Sequence, residues 1–156
     1  MSLAFSVHIG IAAIMILAPC VARAASCSVV ATSVSFGTCD PIAANPTNSS
    51  GRITVSCNGN LGHGPYSLAL SAGGGGSYAG RAMRSASATI AYQLYIDAAH
   101  TRIWGDGNGG SETVAGFDIV PNHSGSARFT VFGSIRARLI VNPGFYSDVI
   151  IITANY

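Results

Sequence analysis

Apolar residues recur at every second position through most of the chain beyond residue 26, and no segment there sustains a 3.6-residue period. This alternation predicts strands that turn one face toward a core. We predict strands at 30–36, 52–57, 66–70, 89–96, 103–104, 128–133 and 146–156. About six or seven short strands, separated by turns every 8–12 residues or so, are typical of an all-β sandwich.

The segments between these strands contain Gly, Pro and Asn. Asp40-Pro41 to Gly51 is polar and is predicted to be a connecting loop, and Gly73–Gly76 is predicted to be a flexible turn. Val149 to Ile152 is apolar on both faces, so we predict a central, buried final strand. Two arrangements remain open: a closed sandwich, or one whose final strand borders an open apolar edge that needs a partner.

The first residues form a separate unit. Leu3 to Val21 is apolar with few interruptions, and Ala22-Arg23-Ala24 places small residues where signal peptidase reads them. We therefore expect residues 1–25 to be a signal peptide that directs export, and residues 26–156 to be the mature domain. A membrane anchor and a lipoprotein attached at Cys20 are alternatives, and Pro19 argues against both.

Charge is scarce. Only 9% of residues are charged, against about a quarter in an average protein, the formal net charge is +2, and all eight basic residues are Arg. Cleavage after residue 25 would remove Arg23 and leave +1. A disordered chain carries more charge, and a nucleic-acid binder carries a denser basic patch. We expect no nucleic-acid partner.

Catalytic motifs are missing from the sequence: neither Gly-x-Ser-x-Gly nor His-Glu-x-x-His occurs. Asp106, Asn108 and Glu112 have a spacing that falls short of a calcium loop. We therefore predict a protein that is not an enzyme and that has no catalytic, cofactor-binding or metal site. We expect the only tryptophan, Trp104, to lie in the core.

Three cysteines remain in the predicted mature chain: Cys27, Cys39 and Cys57. An exported protein meets oxidising conditions, which favour one disulfide and leave one thiol over. Zinc is a poor alternative because the spacings contain no Cys-x-x-Cys element.

Five stretches together resemble one family. They are Cys27 with Phe36-Gly37, the strand Gly51 to Cys57, Leu70 to Tyr78, Tyr92-Gln93-Leu94-Tyr95 with Trp104 to Gly107, and Pro143 to Asp148. Their order and spacing are similar to those of the spore coat protein U and Csu-type fimbrial subunit family, over essentially all of the mature chain.

The resemblance implies an immunoglobulin-like sandwich that lacks its last strand. It implies export to the periplasm, a pilus chaperone and an outer-membrane usher as partners, and assembly with other subunits into a fimbria at the cell surface. In donor-strand complementation, a partner's strand fills the groove and joins the sheet. The family's function is adhesion and biofilm formation, or a structural role in a spore coat.

Residue roles carry over from the same resemblance. It implies a disulfide between Cys27 and Cys57. It places an acceptor groove along the last strand, at Ile150, Ile152, Ala154 and Tyr156. Cys39 departs from the family pattern, either as a free thiol or as a competitor of Cys27 for Cys57.

A second departure concerns the donor segment. Fewer than three residues precede Cys27 after the expected cleavage, whereas a donor strand needs about ten. We therefore expect a subunit that accepts a strand without donating one, as in a terminal subunit or a non-polymeric coat protein. The alternative is a tip-like adhesin that touches a surface through the loops Gly73–Ser77 and Gly105–Ser111, which exposed apolar loop residues would favour.

Overall fold

The structure, a computed structural model, describes residues 26–40, 42–58, 66–86, 88–116 and 125–155. The expected signal peptide lies outside these ranges. The strands are β1 (Ser26–Ala31), β2 (Thr47–Asn58), β3 (Tyr66–Leu70), β4 (Ala82–Arg84), β5 (Thr89–Tyr95), β6 (Val114–Gly116), β7 (Gly125–Ile135) and β8 (Ile152–Asn155). A short 3-10 helix covers Gly73–Gly75. No helix in the described part of the chain is long and apolar enough to cross a membrane.

The strands form two antiparallel sheets. One has the order β1-β2-β7-β5-β4 and the other the order β6-β3-β8. Long pairing of β2 with β7, from Thr47 opposite Ile135 to Cys57 opposite Gly125, forms the centre of the larger sheet. The arrangement is that of an incomplete immunoglobulin-like sandwich, which confirms the predicted all-β fold.

The core lies between the sheets and uses the apolar residues of the strands predicted at 52–57, 66–70, 89–96 and 128–133. Its most buried members are Ile53, Val55, Cys57, Tyr66, Leu68, Leu70, Ile90, Tyr92, Leu94, Trp104, Val131 and Ile135. Trp104 is fully buried, as predicted, and its indole Nε1 donates to the carbonyl of Leu68 at 3.0 Å. Its ring meets Phe129 edge-on, 6.4 Å between centroids. The tryptophan therefore ties β3 to the larger sheet.

A buried arginine also joins the two sheets. Arg81 is 0% exposed, and its guanidinium donates to the carbonyls of Ser71 (2.8 Å) and Trp104 (2.7 Å) and to Oε1 of Gln93 (2.7 Å). Burial lowers its pKa. Ser71 follows β3 and Gln93 lies on β5, so this one side chain bridges the sheets with acceptors that are all neutral oxygens.

Several predicted strand boundaries are wrong. The last strand is Ile152–Asn155 rather than 146–156, β7 is Gly125–Ile135 rather than 128–133, and residues 103–104 form isolated bridges rather than a strand. β2 begins at Thr47, inside the segment predicted as a loop, because its polar residues pair with β7 along their whole length. The first strand is Ser26–Ala31 rather than 30–36. Beyond Ala31 the backbone leaves β2 and crosses over it, and it is no longer part of the five-stranded sheet.

Candidate functional site

An open apolar groove of about 980 Å³ runs along one side of the sandwich. One side is formed by residues 32–39, which we call the first wall. The other side is formed by residues 146–152, the second wall. The floor is made of core side chains from the larger sheet and β3, namely Ile53, Leu70, Ile90, Tyr92, Leu94, Val131 and Ile135. The groove therefore opens directly onto the hydrophobic core.

Two glycines hold the first wall close to the sheet. A Cβ on Gly51 of β2 would lie 2.8 Å from the carbonyl oxygen of Thr32 and 2.9 Å from Val34. A Cβ on Gly133 of β7 would lie 2.7 Å from Val34 and 2.8 Å from Phe36. All four distances are shorter than real Cβ contacts, so only glycine leaves room for this wall. Thr32 fastens its start, since its backbone N–H donates to the carbonyl of Arg52 at 2.8 Å.

The second wall is attached along its outer side. Ser147 exchanges two backbone hydrogen bonds with Arg84 of β4, at 2.9 and 3.1 Å. At its other end, Ser71 donates its backbone N–H to the carbonyl of Ile151 at 2.9 Å, and the Ser71 hydroxyl accepts from the N–H of Ile151. The contacts with Ser71 continue the β3–β8 ladder, and those with Arg84 form a bridge to β4. They leave the side of the wall that faces the groove without strand partners among the described residues.

The register of β8 shows which of its amides face the groove. Antiparallel strands alternate hydrogen-bonded with non-hydrogen-bonded pairs. Ser71 and Ile151 are bonded to each other, so the next bonded pairs are Ala69 with Thr153 and Ser67 with Asn155. Ile152 and Ala154 stand at the non-bonded positions, and their N–H and C=O groups point to the open edge. An edge of this kind is a template for another strand.

A carboxylate fixes the second wall to the turn below it. Asp148 accepts from the backbone N–H of Gly74 at 2.8 Å and from the Tyr92 hydroxyl at 2.7 Å. Burial, and then the bond to Asp148, raise the pKa of Tyr92. Gly73 has φ +67°, and a Cβ there would overlap the Asp148 carboxylate. The glycine run therefore binds the Asp148 carboxylate, and only glycine at position 73 leaves room for it. The sequence predicted this run only as a flexible turn.

The groove residues predicted for the last strand occupy different places. Ile150 and Ile152 are half-buried and line the groove, and Ala154 packs against the core. Tyr156 lies outside the described residues. The prediction of a central, buried final strand is wrong: among the described strands only β3 pairs with β8, so β8 is an edge strand. Val149 and Ile151, in the segment before β8, are 79% and 65% exposed because their face of this segment points to solvent.

The cysteines divide as the resemblance implies. Cys27 and Cys57 form a disulfide between directly opposed residues of β1 and β2, with Cα atoms 4.0 Å apart. Cys39 is the free cysteine among the described residues; it is half-buried and lines the groove at the far end of the first wall. From Cys27 to Cys39 the chain leads away from Cys57. In this fold Cys39 therefore does not compete with Cys27 for the bond to Cys57.

The residues considered for metal binding have other partners. Glu112 forms an exposed ion pair with Arg102, 2.6 Å between its Oε2 and Nη2, and this pair lowers the pKa of Glu112. Asp106 accepts from the backbone N–H of Asn108 at 2.9 Å. The described ranges contain no group of three or more His, Cys, Asp or Glu residues placed to hold a metal ion.

The model of the Spore Coat Protein U domain family matches residues 13–153. None of the curated proteins compared matches the chain. Among solved structures, the chain is similar to one in the crystal structure of the CsuC-CsuE chaperone-tip adhesion subunit pre-assembly complex from archaic chaperone-usher Csu pili of Acinetobacter baumannii. The TM-score is 0.56 at 23% identity, and the match covers 85% of this chain and 40% of that one. A likeness at this identity concerns the fold.

Proposed function

The chain belongs to the Spore Coat Protein U domain family, and from this premise we propose that it is a non-catalytic structural subunit of a cell-surface fimbria. In this proposal a partner supplies a β-strand that fills the groove between the two walls. The observation that carries the proposal is the open edge of β8 beside an apolar groove of about 980 Å³. An apolar groove next to unpaired backbone groups satisfies both requirements of strand addition.

The inserted strand would make two kinds of contact. Its backbone would pair with the N–H and C=O groups of Ile152 and Ala154, which β3 leaves free. Its inward side chains would cover Leu94, Val131 and the other floor residues. Because successive strand residues point to opposite faces, we expect a donor with apolar residues at alternate positions.

The open groove also supports a proposal for the partners. A subunit with an open groove needs a strand both before and after assembly, which a periplasmic chaperone and then another subunit would provide. The similarity to a subunit in a chaperone complex supports the chaperone. We propose archaic chaperone–usher assembly, with export through residues 1–25, transfer by an outer-membrane usher, and a role in adhesion and biofilm formation.

The loops considered for a tip-like adhesin do not favour direct surface contact. Neither Gly73–Ser77 nor Gly105–Ser111 carries an exposed large apolar side chain. Gly73 and Gly74 contact the Asp148 carboxylate, and Asp106 accepts a hydrogen bond from the backbone N–H of Asn108. The exposed apolar residues lie elsewhere, along and beside the groove.

The thiol of Cys39 provides a direct test of strand binding. If a strand fills the groove and covers Cys39, only strand-free chain reacts. The rate of Cys39 alkylation should therefore be proportional to the fraction of the chain that has no strand bound. A strand peptide or chaperone at about 100 times its Kd should slow the reaction about 100-fold. The measurement is the rate of maleimide labelling of the exported chain, followed by mass spectrometry.

A matched control places the thiol outside the groove. In the Cys39→Ser, Ser126→Cys variant the new thiol lies at an exposed position of β7. Its labelling rate should not change when the strand binds. Equal labelling of Cys39 with and without the partner would show that nothing enters the groove and would refute the proposed function.

A further inference from the structure

Three large apolar side chains stand in solvent at one end of the sandwich. Ile42 is 83% exposed, Ile140 103% and Phe145 101%. They belong to two segments, 42–46 and 136–145, which we call the mouth. The backbone N–H of Arg138 donates to the carbonyl of Ala43 at 3.1 Å, which joins the two segments. Exposed apolar side chains grouped in this way mark a contact surface.

The mouth is held in shape by its own contacts. The hydroxyl of Tyr146 donates to the carbonyl of Asn142 at 2.7 Å and closes a turn that begins two residues after Ile140 and carries Phe145. Asp40 accepts from the backbone N–H of Ile42 at 3.0 Å and fixes the other segment. The apolar side chains are therefore presented by pinned turns, so little ordering entropy is lost when a partner covers them.

The mouth also carries an excess of positive charge. Arg136 and Arg138 are both exposed in it. The acidic residue beside them is Asp40, whose carboxylate is engaged with Ile42. Asp148 lies deeper and is bonded to Tyr92. A partner that covers the apolar side chains would therefore be complementary if it presented carboxylates at its rim.

The groove is continuous with the mouth and stops before the opposite end. Asp40, Arg136 and Phe145 line the groove themselves. Toward the other end the lining reaches only to Ala31, Ile53 and Ile152, short of the disulfide. A strand that leaves the groove at the mouth end brings the folded body of its parent protein against the mouth.

We propose that the mouth is a docking surface for the folded body of the partner that supplies the strand, and that this body presents an apolar patch rimmed by acidic residues. This inference rests on the proposed function. It adds that contacts at the mouth determine which partner can supply the strand. Backbone pairing gives affinity, and the apolar floor of the groove selects a donor with an alternating apolar pattern, which many strands share. Contacts of the body with Ile140, Phe145 and the two arginines would supply the discrimination.

The test compares two ligands on one variant. The ligands are the chaperone purified with this chain and a synthetic peptide of its groove-filling strand. The Ile42→Ser, Ile140→Ser variant changes two exposed side chains of the mouth that do not line the groove, and it should bind the whole chaperone about 10- to 100-fold more weakly, because two large apolar contacts are lost. It should bind the peptide within about twofold of the parent chain, as the fold-change expected from surface changes outside the groove is small.

A control variant and the contrary outcomes complete the design. Val30→Ser removes an exposed apolar side chain of β1, 67% exposed and away from the mouth, and should leave both affinities unchanged. Unchanged chaperone affinity in the double variant, or equal weakening of both ligands, overturns the inference. So does a loss confined to self-association or to binding of anionic phospholipid vesicles. If the parent chain binds neither ligand, the proposed function itself fails, and the inference with it.

Discussion

Replacing Cys27 and Cys57 with serine should lower the free energy of unfolding by about 3 to 4 kcal/mol. The disulfide joins residues 30 positions apart, and closing a loop of that length restricts the unfolded chain by about this amount in the chain-entropy model. The loss is large beside the 5–15 kcal/mol or so of a typical domain. A sandwich that lacks one strand has less core than a complete one. We therefore expect little of the double serine variant to be folded without its partner.

Urea unfolding of the chain with its partner at a fixed concentration measures this effect, since binding to the folded state shifts the midpoint. Cys39→Ser is the matched control. It removes the free thiol that lines the groove and leaves the disulfide in place, so its midpoint should remain close to that of the parent. A double serine variant as stable as the control would mean that the bond between β1 and β2 adds nothing to the fold.

Gly133→Val should abolish strand binding by displacing the first wall. The new side chain would occupy the space of Val34 and Phe36, whose atoms lie within 2.8 Å of the position of its Cβ. Overpacking of this kind costs about 1–3 kcal/mol when the neighbours stay in place. The wall is held by few hydrogen bonds after Thr32, so we expect it to move and the groove to lose one side.

Thr130→Val is the control that places the same residue on the same strand but away from the groove. Thr130 is an exposed residue of β7 and does not line the groove. Co-purification with the chaperone should fail for the Gly133 variant and persist for the Thr130 variant, with circular dichroism to show that both retain their strands. Normal recovery of the chaperone with Gly133→Val would mean that the first wall is not part of the strand-binding site.

The alternation of apolar residues predicted the core strands well where one face of the strand packs on the core and the other faces outward. Ile53, Val55 and Cys57 face the core and their neighbours face outward, as the sequence indicates. The same rule missed Thr47–Ser50. This segment is polar and pairs with β7 through backbone hydrogen bonds, which do not depend on how apolar the side chains are.

The two walls show why the site itself was harder to predict. The positions of Val34 and Phe36 alternate like those of a strand, yet they lack a neighbouring strand and form an irregular wall. Val149–Ile152 was predicted to be buried from its composition, which does not specify how many neighbours a strand has. The contacts of Asp148 with Gly74 and Tyr92 join residues 74 and 56 positions apart and follow only from the folded chain.

Amide hydrogen exchange of β8 tests most directly whether another strand completes this sandwich. Ile152 and Ala154 have amides that face the open edge, and Thr153 and Asn155 have amides that pair with β3. In the complex with the chaperone, the amides of Ile152 and Ala154 should exchange as slowly as those of Thr153 and Asn155, and they should exchange much faster when the partner is absent. Rapid exchange of Ile152 and Ala154 in the complex would contradict strand insertion beside β8.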